Sequence, residues 1–275
     1  MNLVAQGPSL TDSQAQHLAQ MLGVTPMSLS RRAFRFKGVE RNPSVASWCE
    51  ERQIDHAFVP EGRRFADLKL LAMDMDSTLI TIECIDELGA LAGKKAEVAA
   101  VTAQAMRGEI DYPESLRRRV AAIAGLPETS LLQVYEERLG LTPGAEVLLK
   151  KCKEHRVQVL LVSGGFTFFT ERLKARLGID HTISNVLEVK GGKLTGALVG
   201  EIVDADAKAR KFVEIRENLR AEKHQTVAIG DGANDLKMMA EAGLSVAFRA
   251  KPVVRARAGC ALNWCALDAV VNLFE

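Results

Sequence analysis

The chain has 275 residues, of which 47% are hydrophobic and 26% charged, and its formal net charge at pH 7 is +1. This is the composition of an ordinary globular protein, and the charge balance excludes the basic surface that binds nucleic acid or anionic membranes. The N-terminus lacks the pattern of a signal peptide, and no apolar run is long enough to span a bilayer. The five cysteines include no Cys-x-x-Cys pair, so we expect a cytoplasmic protein without a zinc site or disulfide framework.

The first part of the chain, residues 1–66, predicts a small α+β accessory domain. Its strands and helices are predicted at 1–7, 11–22, 28–38, 43–52 and 55–62. The polar stretch at 60–67 (PEGRRFAD) is typical of a linker into the next domain. The alternation of strands and helices loosely resembles that of ACT-type regulatory domains, so regulation and dimerisation are hypotheses for this segment.

The remainder, residues 67–275, alternates short apolar strands with helices. The predicted strands are LLAMD, VQVLLVSGG, HTISNVLEV, TVAIGDG and LSVAFRA. Helices are predicted at 143–154, 168–177, 205–220 and 235–242. This alternation predicts βαβ units and a doubly wound, mostly parallel sheet. The stretch LEVKGGKLTGALVG predicts one β-hairpin about its Gly-Gly pair.

One block, residues 81–141, departs from this alternation. It contains no convincing strand, only amphipathic helical sequence, and it is inserted directly after the first strand. Ligands of open α/β sheets bind at the carboxyl ends of the strands. The block therefore predicts a helical cap over that edge of the sheet.

Two acidic residues, Asp74 and Asp76, end the first apolar strand and are followed by Ser77 and Thr78. Side chains two apart on a strand share a face, and nearby carboxylates repel each other unless a cation or a proton lies between them. A buried strand that ends in this way predicts a polar site at the mouth of the sheet.

Polar residues also follow two later strands at the same predicted edge. Ser163 and Gly164 follow the second strand (VSGGF), and Asp231, Asn234 and Asp235 follow a later one (GDGAND). Three acids with neutral oxygen donors nearby suit a hard cation, for which Mg²⁺ is the natural candidate.

A lysine, Lys208, lies near the start of a predicted helix and can reach back toward this edge. Alone, each motif has an ordinary structural explanation: D-x-D-x-T is commonly a turn or a helix cap, SGG and GDGAND are loops, and Lys208 is a solvated helix residue. Their succession after the strands of one α/β domain predicts phosphoryl transfer, which needs a nucleophile, a cation, and donors to the phosphate.

The motifs DMDST, VSGGF, Lys208 and GDGAND resemble those of the haloacid dehalogenase superfamily of phosphotransferases. Three longer stretches are similar to the phosphoserine phosphatases of bacteria and archaea: MDMDSTLITIECIDELG, AMRGEIDYPESLRRRV and VAIGDGANDLKMMAEAGLSVAFRAKP. The resemblance covers Leu68 to the C-terminus. It implies Mg²⁺-dependent hydrolysis of O-phospho-L-serine through an aspartyl phosphate, the last step of serine biosynthesis.

The resemblance also assigns roles to residues of this chain. Asp74 corresponds to the nucleophile, and Asp76 to the general acid that later acts as the base. By the same resemblance, Mg²⁺ is expected to bind Asp74, the backbone carbonyl of Asp76 and Asp231. Ser163, Gly164 and Lys208 are expected to bind the phosphoryl oxygens. Asn234, Asp235 and Thr78 are expected around both the metal and the phosphate.

Recognition of phosphoserine needs an acid for its ammonium group and a base for its carboxylate. Glu83, at the entrance to the cap, is the expected acid. Any arginine of residues 117–119 (SLRRRV) has the fork geometry to bind the carboxylate, and the resemblance selects Arg119. The resemblance also places Met106 and Tyr112 in the apolar lining of the lid.

Two alternatives stay open from the sequence. One is a related phosphatase that acts on another phosphorylated amino alcohol, such as phosphohomoserine. The other gives the distinctive role to residues 1–66, as an amino-acid-sensing or interaction module. We expect a small-molecule substrate, no nucleic acid or membrane partner, and a homodimer through the N-terminal segment as one hypothesis.

Overall fold

Two β-sheets organise the chain, and a computed structural model describes all 275 residues. The first sheet contains the strands β1 (Asn2–Gln6), β2 (Pro26–Ser30), β3 (Ala33–Phe36) and β4 (Asp55–Val59). Their order is β2-β3-β1-β4, and every pair is antiparallel. The helices α1 (Asp12–Leu22) and α2 (Pro43–Glu51) share an apolar core with one face of this sheet.

The strand predicted over 28–38 is in fact two strands, β2 and β3, with Arg31 and Arg32 at the turn between them. The prediction of one strand was wrong because the alternation of polar and apolar residues continues through the turn. The structure reverses the chain at the two exposed arginines, which stay in water. Phe34 and Phe36 are buried against the helices on the second strand only.

The segment predicted as a linker, residues 60–67, is packed rather than free. Phe65 is buried and its ring stands edge-on to that of Phe274, with 5.7 Å between the centroids. The Phe65 N–H donates to the carbonyl of Glu275 at 3.1 Å, and the Glu275 N–H donates to that of Arg63 at 2.8 Å. The linker prediction was based on the polar composition of the segment, which does not indicate that the single phenylalanine, Phe65, packs against the end of the chain.

A buried arginine, Arg35 on β3, joins the first sheet to the C-terminus. Its side chain is 1% exposed and donates to the carbonyls of Asn272 and Phe274, at 2.9 and 2.5 Å. The Glu275 carboxylate lies 3.4 Å away and also accepts from the Asn2 amide at 2.9 Å. The first sheet is thus held to the C-terminal residues by a charged contact whose arginine is buried and whose carboxylate is partly exposed.

The second sheet carries the predicted α/β alternation. Its strands are β5 (Leu70–Asp74), β6 (Gln158–Phe166), β7 (His181–Lys190), β8 (Lys193–Val199), β9 (Thr226–Gly230), β10 (Leu244–Phe248) and β11 (Cys260–Leu262). The order is β11-β10-β9-β5-β6-β7-β8, parallel except for the β7–β8 hairpin. This confirms the doubly wound sheet and the hairpin; β11, three residues long, was not predicted.

Helices cover both faces of this sheet. They are α7 (Ala145–Glu154), α8 (Thr167–Leu177), α9 (Ala205–Asn218), α10 (Leu236–Glu241) and α11 (Pro252–Arg255). On the central strand β5, Leu71 and Met73 enter one apolar core, while Leu70 and Ala72 enter the other. Burial on both faces explains why β5 is a continuous apolar run. None of the helices combines the length and apolar character that a membrane crossing demands.

The insertion after β5 is helical, as predicted. Its helices are α3 (Cys84–Leu91), α4 (Lys95–Met106), α5 (Tyr112–Ala122) and α6 (Thr129–Glu137). An isolated bridge between Ile80 and Leu141 closes its base. A second attachment joins the turn after α5 to the hairpin: Gly125 donates to the Leu194 carbonyl at 2.8 Å, and Leu194 donates to that of Leu126 at 2.9 Å.

Replacing Arg35 by Met should lower the free energy of unfolding by about 2–4 kcal/mol, because it leaves buried carbonyl acceptors and the Glu275 carboxylate without their donor. Urea denaturation followed by circular dichroism measures this difference. The matched control is Arg31→Met, at an exposed position without an ion pair, which should change stability by less than about 0.5 kcal/mol. Equal midpoints for the two variants would contradict the role assigned to Arg35.

Candidate active site

The backbone leaves β5 sharply at its carboxyl end, between the two acids. Asp74 is the last strand residue and is 6% exposed. Ser77, at φ 56°, takes the left-handed conformation that is unfavourable for a side-chain-bearing residue. The Asp76 carboxylate turns to the start of α3 and accepts from the Cys84 N–H at 2.9 Å. The turn therefore separates the surroundings of Asp74 from those of Asp76.

Lys208 lies between two buried carboxylates. Its ammonium donates to Asp74 and to Asp235, each at 2.7 Å, and both Lys208 and Asp235 are completely buried. Burial lowers the pKa of Lys208, but the charges of Asp235 and Asp74 and the hydrogen bonds to them outweigh it and raise the pKa above its usual range. Asp204 caps α9 by accepting from the Ala207 N–H at 2.9 Å, which fixes the turn that carries the lysine.

Three carboxylates meet at the ends of β5 and β9. Oxygen atoms of Asp74, Asp231 and Asp235 lie within 4.8 Å of one another. Burial, with Asp235 as the largest further cause, raises the pKa of Asp74 well above its usual range and that of Asp231 to about 7. The cluster carries more negative charge than Lys208 offsets, and its donors are all oxygen. These residues therefore fit a divalent hard cation.

The predicted metal residues differ in how they lie relative to this acidic cluster. The Asp76 carboxylate is not part of the acidic cluster, and metal binding through its backbone carbonyl stays a prediction. Asp235, expected around the site, has an oxygen in the cluster itself. Thr78 is buried and donates to Asp231 at 3.5 Å, and Asn234 is half-buried beside Gly232.

The last residues of β6, 163–166, where the register with β7 shifts, are built for close approach. Ser163 is completely buried, and its hydroxyl oxygen accepts from the Gly165 N–H at 2.8 Å, which leaves the hydroxyl hydrogen free to donate. A Cβ at Gly165 would lie 2.8 Å from an Asp76 oxygen and 3.0 Å from the Ser163 oxygen. Only glycine at this position lets the serine and the acid approach each other.

Asn185 on β7 is a residue that sequence reasoning missed. It is 2% exposed, and its amide donates to the Gly164 carbonyl at 2.8 Å and accepts from the Val203 N–H at the same distance. The available signal was an amide side chain inside an apolar strand. Such a residue needs buried partners, but the sequence does not say which ones.

The cap brings some of its predicted residues to this edge and not others. Glu83 is exposed and accepts from the Ser77 hydroxyl at 2.7 Å. Arg119 is half-buried, whereas residues 117 and 118 are exposed. Tyr112 donates to the Gly164 carbonyl at 3.2 Å. Met106, expected in the lid lining, is 67% exposed at the end of α4, a helix whose only buried residue is Val98, and its place in the lid stays a prediction.

Comparison with known proteins gives a consistent picture. Residues 71–240 match the model of the haloacid dehalogenase-like hydrolase family. The chain is 54% identical over 217 residues to a phosphoserine phosphatase of Polaromonas sp. (strain JS666). The match covers 77% of this chain and 92% of the relative. The unliganded structure of a probable phosphoserine phosphatase from Vibrio cholerae superposes with a TM-score of 0.86 at 37% identity, over 99% of this chain and 86% of that one.

A third relative is a solved phospho-aspartyl intermediate analogue of a phosphoserine phosphatase. It has a TM-score of 0.71 and 37% identity, and the match covers 76% of this chain and 99% of that one. Nearly the whole of that structure therefore has a counterpart in this chain.

Replacing Lys208 by Met should lower the free energy of unfolding by about 3–5 kcal/mol without added metal, because it leaves Asp74 and Asp235 buried without their cation. A saturating divalent cation should recover part of this loss, since it restores positive charge to the cluster. Chemical denaturation with and without Mg²⁺ measures both effects.

The control for this change is Lys211→Met on the same helix, whose partner Glu214 is exposed. Surface pairs of this kind contribute about 0–1 kcal/mol and should not respond to the metal. A Lys208 variant as stable as the Lys211 variant would contradict the assigned pairing.

Proposed function

The chain belongs to the haloacid dehalogenase-like hydrolase family, and we propose that it hydrolyses O-phospho-L-serine to L-serine and phosphate. The observation that carries this proposal is Asp74, a buried strand-end carboxylate paired with Lys208, in a chain 54% identical to a phosphoserine phosphatase. The reaction class is the hydrolysis of a phosphate monoester, and its amino-acid product is serine.

In the first step that we propose, a carboxylate oxygen of Asp74 attacks phosphorus, and the bond from phosphorus to the seryl oxygen breaks. Asp76 gives its proton to that oxygen, so neutral serine hydroxyl leaves and an aspartyl phosphate remains. Burial, with the neighbouring charge of Glu83, raises the pKa of Asp76 to about 7, which supports a proton on this carboxyl near neutral pH.

In the second step, Asp76 takes a proton from water as the water oxygen attacks phosphorus. The bond from phosphorus to the Asp74 oxygen breaks, which releases phosphate and restores both carboxyl groups. The free hydroxyl hydrogen of Ser163, the Gly164 N–H and the Lys208 ammonium are our proposed donors to the phosphoryl oxygens. Lys208 also offsets the charge of Asp74, as its 2.7 Å hydrogen bond supports.

The metal that we propose is Mg²⁺, held by Asp74, Asp231 and the backbone carbonyl of Asp76, with Asp235 beside them. When bound, it supplies positive charge that offsets the carboxylates and polarises phosphoryl oxygens. The all-oxygen donor set supports a hard cation of this kind.

For substrate recognition we propose that Glu83 binds the ammonium group and Arg119 binds the carboxylate. Arg119 is the half-buried member of its arginine run, whereas Arg118 is exposed and paired with Glu114 at 2.7 Å. This partial burial, and the absence of an ion pair, distinguish Arg119 from its two neighbours as the candidate for the carboxylate.

For residues 1–66 we propose an accessory α+β unit whose main role is to cover one side of the catalytic core. Val4, Ala57 and Val59 pack in the same apolar cluster as the central strand β5. Regulation or dimerisation through this unit stays a hypothesis.

Replacing Asp74 by Asn should lower phosphoserine hydrolysis by on the order of 10⁴-fold or more, because the amide cannot form the covalent intermediate. Removal of divalent metal by EDTA should abolish turnover in the unaltered protein, and Mg²⁺ should restore it. Release of inorganic phosphate measures both. The same chemical change at Asp12, which is exposed and unpaired, should leave the rate within about twofold.

Replacing Arg119 by Ala or Glu83 by Gln should lower kcat/KM for phosphoserine by about 10- to 100-fold, the effect of one charge-assisted hydrogen bond. Hydrolysis of p-nitrophenyl phosphate, which has neither ammonium nor carboxylate, should change far less. Arg117→Ala is the control, since this neighbour on α5 is exposed. Equal losses on both substrates would contradict the contacts assigned to Arg119 and Glu83.

A further inference from the structure

A single side-chain hydroxyl of the cap helices bonds to the last residues of β6. Tyr112, the first residue of α5, donates to the Gly164 carbonyl at 3.2 Å. It is the only side-chain hydrogen bond between the cap helices and residues 163–166. The cap helices make no other polar side-chain contact with these residues, so this bond is the one polar side-chain link between the start of α5 and the end of β6.

The acceptor of this bond is held by the core. The Gly164 carbonyl also accepts from the amide of Asn185 at 2.8 Å, so both of its lone pairs are used. Asn185 is itself fixed, because its oxygen accepts from the Val203 N–H at 2.8 Å. The carbonyl is therefore a rigid reference point on the sheet to which the cap attaches.

The donor is held by the cap. Asp111 caps α5 by accepting from the Glu114 N–H at 2.8 Å, and Pro113 stands in the first turn, where its fixed φ suits a helix start. Burial raises the pKa of Tyr112 to about 12, so its hydroxyl keeps the hydrogen that it donates. A Cβ at Gly164 would lie 2.1 Å from the tyrosine oxygen, so the contact exists because that residue is glycine.

Tyr112 and Arg119 stand on the same helix and seven residues apart, which is two turns and about 10 Å. Their side chains therefore share one face of α5, and a bond that fixes the first turn also fixes the position of the arginine. We propose that the Tyr112 hydroxyl is a positioning latch, which sets the start of α5 against the end of β6 so that Arg119 meets the substrate carboxylate. This inference rests on the proposed function.

The test is a double-mutant cycle that joins Tyr112→Phe with Arg119→Ala, using phosphoserine as substrate. Tyr112→Phe keeps the ring and removes one oxygen. In the unaltered protein it should lower kcat/KM by about threefold to tenfold, mainly through KM, which is the effect of one neutral hydrogen bond. In the Arg119→Ala background it should lower kcat/KM by less than about twofold, because the latch has no arginine left to place.

The control is Tyr135→Phe in α6, the other tyrosine of the chain, whose hydroxyl makes no hydrogen bond in the structure. It should leave both kinetic constants within about twofold. Thermal unfolding of each variant accompanies the kinetics; a merely structural role for Tyr112 would lower stability and cost the same factor in both backgrounds.

Equal losses in the two backgrounds, or no loss from Tyr112→Phe alone, would overturn the latch. The proposed function fails in a distinguishable way: Arg119→Ala itself would then leave phosphoserine turnover unaltered, and the latch would fall with it. A large Arg119→Ala loss without coupling to Tyr112 overturns the latch alone.

Discussion

The charge balance around Lys208 is the constraint on which the catalytic edge of the sheet depends. A buried carboxylate without a partner costs several kcal/mol, and two of them here share one ammonium. The parallel sheet makes this arrangement possible, because Asp74 and Asp235 follow adjacent strands whose carboxyl ends coincide. With Asp231 added, negative charge exceeds what the lysine supplies. Binding of an additional cation at this site is therefore favourable. The repulsion between the carboxylates, which destabilises the fold, is also what favours metal binding.

The parts of this arrangement that follow a strand were predictable from sequence. A strand buried on both faces reads as a continuous apolar run, so the first polar residue after it is conspicuous, as with Asp74 and Ser163. Parallel topology then brings such residues together without further information. The order of the motifs also carried the identification of Lys208, although a lysine in a helix is otherwise indistinguishable from a solvated one.

The parts that depend on docking between elements were not predictable. Asn185 has partners that only the packed β6–β7 edge reveals, and the exposure of Met106 at the end of a lightly packed helix follows from no local signal. The turn between β2 and β3 could not be predicted because the alternation of polar and apolar residues continues through it. The packing of Phe65 could not be predicted because its neighbours in the sequence are mostly polar. In each case the local sequence is ambiguous, and a contact distant along the chain decides the outcome.

The two attachments of the cap have a consequence for how new specificity could be engineered. The cap is one continuous insertion in the sequence, yet its turn after α5 is bonded through the backbone to the β7–β8 hairpin, at Gly125 and Leu194. Backbone bonds of this kind survive most changes of side chain. The unit that covers the site is therefore assembled from two separate stretches of the chain. A transplant that moves only the helices would leave the bonded hairpin behind in the donor, whereas one that carries the hairpin with them would transfer both stretches of the cover.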